Sequence, residues 1–181
     1  MAGAVLASAT LIPLSACSPD PDPLFALAMV GDRATVLIAE CARAQIDYVA
    51  VWERADPASP VPQQPGAPDG RTDKWIEWHV ESPRKPVPSS TLKTSAVDAP
   101  AQVTLLETPP GWVITRDELT ELREGVEYHL SGGLGKIGSL DFTLARLREL
   151  PPGDVLTATG YLEQHVVPEA EFQAEARKHC D

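Results

Sequence analysis

Asparagine is absent from the 181 residues, which excludes N-linked glycosylation outright. Cations are scarce: 15 Lys and Arg stand against 26 Asp and Glu, a formal net charge of −11. Nucleic-acid affinity comes largely from basic side chains releasing counterions, so nucleic acid is excluded as a partner. The first charged side chain is Asp20, yet the apolar run before it, Met1 to Ala16, is shorter than the about 20 residues a membrane-spanning helix needs. No G-x-S-x-G nucleophile elbow occurs, and there are only three cysteines and four histidines from which to build a reactive site.

What remains is a chain able to fold. With 43% hydrophobic and 23% charged residues it belongs to the globular class, and a single domain of this length buries roughly 70% of its unfolded surface. Residues 1–16, MAGAVLASATLIPLSA, form an apolar stretch closed by small side chains, the pattern of an export signal. Leu14-Ser15-Ala16-Cys17 resembles the lipobox of bacterial lipoproteins. That resemblance implies cleavage before Cys17 and acyl chains on its thiol and new amino group, enough to hold a protein stably on a membrane surface. It places the chain on the extracytoplasmic face of the cell membrane. Ser18-Pro19-Asp20-Pro21-Asp22-Pro23 completes a segment 17–23 that reads as an extended tether. Asp20 and Asp22, without further ligands, make a poor cation site. Cys41 and Cys180 are the other cysteines, and export into an oxidising compartment predicts a disulfide between them. Closing so long a loop is worth on the order of 4 to 5 kcal/mol in the chain-entropy model.

Residues 24–181 read as one domain. Short apolar runs separated by turn residues predict strands at 25–30, 34–40, 45–53, 74–80, 91–95, 102–107, 112–115, 137–144 and 155–161. Gly31-Asp32 suits a tight turn, and the prolines between Pro57 and Pro68 mark a long surface loop. Leu122, Gly125 and Tyr128 resemble the Leu-x-x-Gly-x-x-Tyr corner of immunoglobulin-like and fibronectin type III sandwiches, where the Tyr hydroxyl bonds nearby backbone. Leu150, Gly153 and Leu156 repeat the spacing without the Tyr, and read as a second turn into a strand. Pro168 to His179 predicts a short helix, with Pro at its first position, acids in the first turn and Phe172 and Ala176 facing the sandwich. The expected fold is therefore an immunoglobulin-like antiparallel β-sandwich with a short C-terminal helix. The order of hairpin, early Cys, PPGW run, corner and Phe-then-Cys helix is similar to small lipoproteins of actinobacteria, a likeness that supplies no activity.

Chemistry has few candidate addresses. Glu77, His79 and Glu81 alternate along a predicted strand, so they share a face at about 6.5 to 7 Å intervals. Zinc takes such ligands, but a straight line of side chains converges badly on one ion, and a polar strand face explains the pattern as well. Gly133-Leu134-Gly135-Lys136-Ile137-Gly138 fits G-x-G-x-x-G, yet a strand rather than a helix is predicted to follow, so it reads as a hairpin loop and implies no dinucleotide cofactor. His129, His165 and His179 show no spacing that implies cooperation. Trp52 and Trp78 read as core, whereas Trp75 and Trp112 would mark a binding patch if exposed. The sequence thus predicts a lipid-anchored binding or envelope-associated module with no cofactor, its partner an envelope protein or a small ligand. The alternatives are a metal-dependent or hydrolytic enzyme using Glu77, His79 and Glu81, and a solute binder requiring a sizeable apolar pocket.

Overall fold

Gly31 adopts a φ of +66°, which a side chain would strain, and reverses the chain between β1 (Phe25–Val30) and β2 (Arg33–Ile38). The two strands pair antiparallel from Phe25 opposite Ile38 to Val30 opposite Arg33. The computed structural model describes residues 24–54, 76–85, 94–95, 98–133, 138–159 and 163–179. After β2 a 3-10 helix, Glu40–Gln45, leads to β3 (Tyr48–Glu53), and β4 (Glu77–Glu81) pairs back on β3. A two-stranded ribbon of β5 (Arg84–Lys85) and β6 (Thr94–Ser95) precedes β7 (Gln102–Thr104) and β8 (Val113–Asp117). Then follow β9 (Tyr128–Gly132), β10 (Gly138–Phe142), α1 (Leu144–Arg148), β11 (Asp154–Thr159), β12 (Glu163–Pro168) and α2 (Glu169–Ala176).

Two antiparallel five-stranded sheets result, in the orders β12-β11-β1-β2-β7 and β10-β9-β3-β4-β8. Within them, β1-β2-β7 against β10-β9-β3-β4 reproduces the A-B-E and G-F-C-C′ orders of immunoglobulin-like sandwiches, with β8 added at one edge and β11 and β12 at the other. Alternate residues of each strand fill the space between the sheets. Phe25, Leu27, Val36 and Ile38 come from one side, and Val49, Val51, Trp78, Val80, Leu130 and Leu140 from the other, all buried. The opposite parity of β1, β2 and β11 is buried too, because α2 packs on β11 and β12 and α1 on β1. Phe172 and Ala176 are the residues that α2 turns inward.

The corner before β9 is built around Tyr128. Its ring is fully buried, and its hydroxyl accepts the backbone N–H of Arg123 at 2.7 Å. Gly125 supplies the left-handed residue at φ +74°, and Leu122 packs against the core. The Arg123 guanidinium donates to Glu53 Oε2 at 2.5 Å, which holds its pKa above the ordinary arginine value.

Several boundaries differ from the sequence pattern for local reasons. The strand expected from Gln45 begins at Tyr48, because residues 40–45 coil into the 3-10 helix. The strand expected to reach Leu144 ends at Phe142, where the Thr143 side chain accepts the N–H of Arg146 at 3.2 Å and caps α1. β12 has no counterpart in the sequence pattern; its residues run from polar (Glu163 to His165) to apolar (Val166 to Pro168) without alternation, and pairing with β11 creates it. Pro168 ends that strand as the N-cap of α2 rather than its first helical residue, and α2 stops at Ala176, short of the predicted His179.

Candidate functional site

The outer face of the second sheet gathers the polar and aromatic side chains that the core excludes. Register alone does this. Glu77, Trp52, His129 and Asp141 stand in one row across β4, β3, β9 and β10, and His79, Ala50, Ser131 and Ser139 form the next. A third row sets Glu81 opposite Tyr48. Neighbouring strands lie about 4.8 Å apart, so side chains within a row stand as immediate neighbours.

Two histidines organise this face. His79 lies between the two carboxylates of its own strand, with Nδ1 3.3 Å from Glu77 Oε1 and Nε2 3.4 Å from Glu81 Oε1. The Tyr48 ring packs on it with centroids 5.3 Å apart, and the Tyr48 hydroxyl shares a 3.1 Å hydrogen bond with Ser131 Oγ. His129 Nδ1 lies 2.5 Å from Asp141 Oδ1, and Trp52 packs tilted over its ring at 4.6 Å. Arg54 donates to Asp141 at 3.1 Å and to Glu127 at 3.4 Å, tying the row to the end of the sheet. The short contact to Asp141 fixes the His129 ring and orients its second nitrogen.

Glu77, His79 and Glu81 are side by side, but not convergent. Each carboxylate addresses a different nitrogen of His79, so no single point meets all three. Among the described residues, no group of three or more His, Cys, Asp or Glu side chains could hold a metal ion.

Trp112 is a correction: its ring is only 5% exposed and packed in the core, while its backbone N–H donates to Pro109 O and closes the Pro-Pro-Gly turn, so it offers no platform. Trp52 is the second correction. It does not join the core but lies on the outer face, because Val49 and Val51 take the inward parity of β3. Trp75, Cys17, Cys180 and most of the Gly133 to Gly138 loop lie outside the described residues, as do the prolines from Pro57 to Pro68. The element that follows that loop is a strand, β10. Cys41 is partly buried in the 3-10 helix, and its sulfur is engaged. The pairing of His129 with Asp141 had no local signature; only the β9–β10 register reveals it.

No family model matches this chain, and neither does any curated protein or solved structure.

Proposed function

We propose that the chain is an exported lipoprotein, held by acyl groups on Cys17 at the extracytoplasmic face of the membrane, whose sandwich offers the outer face of its second sheet to an envelope protein. The observation that carries the binding role is the arrangement of that face. Tyr48, Trp52, His79 and His129 stand there among Glu77, Glu81 and Asp141, all of it partly exposed, on a scaffold whose two-sheet interior is filled. The void between Phe25, Ile38, Val49 and Leu130 has no room even for a water molecule, which favours a surface binder over one that encloses a solute between its sheets. The acidic balance favours a basic partner.

The same reading joins Cys41 to Cys180. The engaged sulfur of Cys41 supports it, as does the approach of the 3-10 helix to α2, where Glu40 N–H donates to Gln173 Oε1 at 3.2 Å, a few residues before Cys180. The enzyme reading has less support, since it needs Glu77, His79 and Glu81 to converge on one point.

Intact-mass analysis of the protein from membranes tests the anchor: residues 1–16 absent, acyl mass on Cys17 and the loss of two thiol hydrogens are expected, whereas an uncleaved chain with three titratable thiols refutes it. A photo-crosslinker at Trp52 tests the face. It should trap an envelope protein that the same crosslinker at Val166 does not, and equal labelling from both positions would defeat the proposal.

A further inference from the structure

A groove of about 380 Å³ opens where the β1–β2 turn meets the segment joining α1 to β11. Both turns have reasons in the sequence. Gly31 takes its positive φ at one side; at the other Leu150-Pro151-Pro152-Gly153 bends sharply, with Gly153 at φ +87° and the Asp154 N–H donating to Pro151 O at 3.0 Å. The Glu169 N–H donates to Gly153 O at 2.9 Å and fixes the start of α2 beside the same loop. Met29, Val30, Leu150, Pro151, Pro152 and Val155 supply the apolar part of a lining whose accessible surface is mixed and somewhat more polar than apolar, with Val30 left 46% exposed. The volume falls within the range of small-molecule sites, and the mixed lining suits an amphipathic occupant rather than a wholly apolar one.

The charge at its edge is lopsided. Arg148 is the cation there, and its guanidinium is taken up by Glu124. Asp154 and Glu169 line the same groove on a molecule already at −11. Charge complementarity therefore selects against an anionic occupant. We propose that this groove binds a small amphipathic cation, its apolar body against Val30, Leu150 and Pro151 and its ammonium group beside Asp154 and Glu169. The site is independent of the anchor and of the polar face of the second sheet.

Three probes of one chain length separate the contributions: hexyltrimethylammonium, 1-hexanol and hexyl sulfate, titrated into the folded domain while methyl and amide NMR signals are followed. Saturable shifts at Met29, Val30, Leu150 and Val155 are expected with the ammonium probe, weaker ones with hexanol, and at least about tenfold weaker binding of the sulfate. The double variant Asp154→Asn, Glu169→Gln should lose about tenfold in affinity for the ammonium probe and leave hexanol unchanged. Val30→Lys, at an exposed position, keeps the core spectrum and should repel the cation as well. Absence of saturable shifts at these residues, equal binding of the sulfate, or an unaltered ammonium affinity in a double variant with a native core spectrum would each overturn the assignment.

Discussion

Replacing Tyr128 with phenylalanine removes one oxygen and leaves the buried ring in place beside Phe142. The lost hydroxyl is the acceptor for the Arg123 N–H at 2.7 Å, in a partly buried corner. A net hydrogen bond is worth about 1 kcal/mol, and stranding the amide adds part of a desolvation penalty of about 1 to 3 kcal/mol. The expected destabilisation is therefore about 1.5 to 2.5 kcal/mol. For a domain of this size that lowers Tm by roughly 3 to 10 °C. Urea unfolding followed by far-ultraviolet circular dichroism measures it, and the slope should be unchanged because the exposed area is the same. Tyr48→Phe supplies the internal control: among the described residues its hydroxyl bonds Ser131, at 3.1 Å on the outer face, and its loss should cost no more than about 1 kcal/mol. If Tyr128→Phe proves no more disruptive than Tyr48→Phe, the corner is held by ring packing and the hydrogen-bond argument fails.

Trp78→Ala should destabilise by about 3 to 5 kcal/mol, since the ring is fully buried against both sheets; calorimetry showing under 1 kcal/mol would contradict the assigned core. With Cys41 and Cys180 joined as proposed, Cys180→Ser and chemical reduction of the native protein should lower stability by the same amount, up to about 4 to 5 kcal/mol, and reduction of the variant should change nothing further. Zinc added to the native protein should leave its melting temperature unmoved, because the carboxylates beside His79 face different ring nitrogens; a shift abolished by His79→Ala would contradict that geometry. Glu175, hydrogen-bonded by Lys178, has a lowered pKa, so its contribution is present above its unfolded pKa and is lost as pH falls through the folded one. In Lys178→Ala its titration followed by NMR should move up toward the ordinary 4.5.

The sandwich was legible where one residue type dictates a backbone event. Gly31 marked the first turn, Leu122, Gly125 and Tyr128 marked the corner, and the spacing of Phe172 and Ala176 marked the inward face of α2. α1 was hidden because Leu144 and Leu147 continue an apolar run already credited to β10, and only the Thr143 cap separates them. The polar face was half visible. Alternation within β4 displayed Glu77, His79 and Glu81, but Trp52, His129 and Asp141 join them through strand pairing, which no local pattern encodes. Trp52 misled for a related reason: β3 is apolar on both parities, so nothing in the segment itself says which side is outward.

Among the described residues, α1 and α2 pack on the first sheet and no helix packs comparably on the outer side of the second, so the two sheets present unlike surfaces. An assembly that grows by stacking broad β faces needs two of them per subunit. The described part of this fold leaves one sheet bare of helices, so through its described faces it would end such a stack rather than lengthen it.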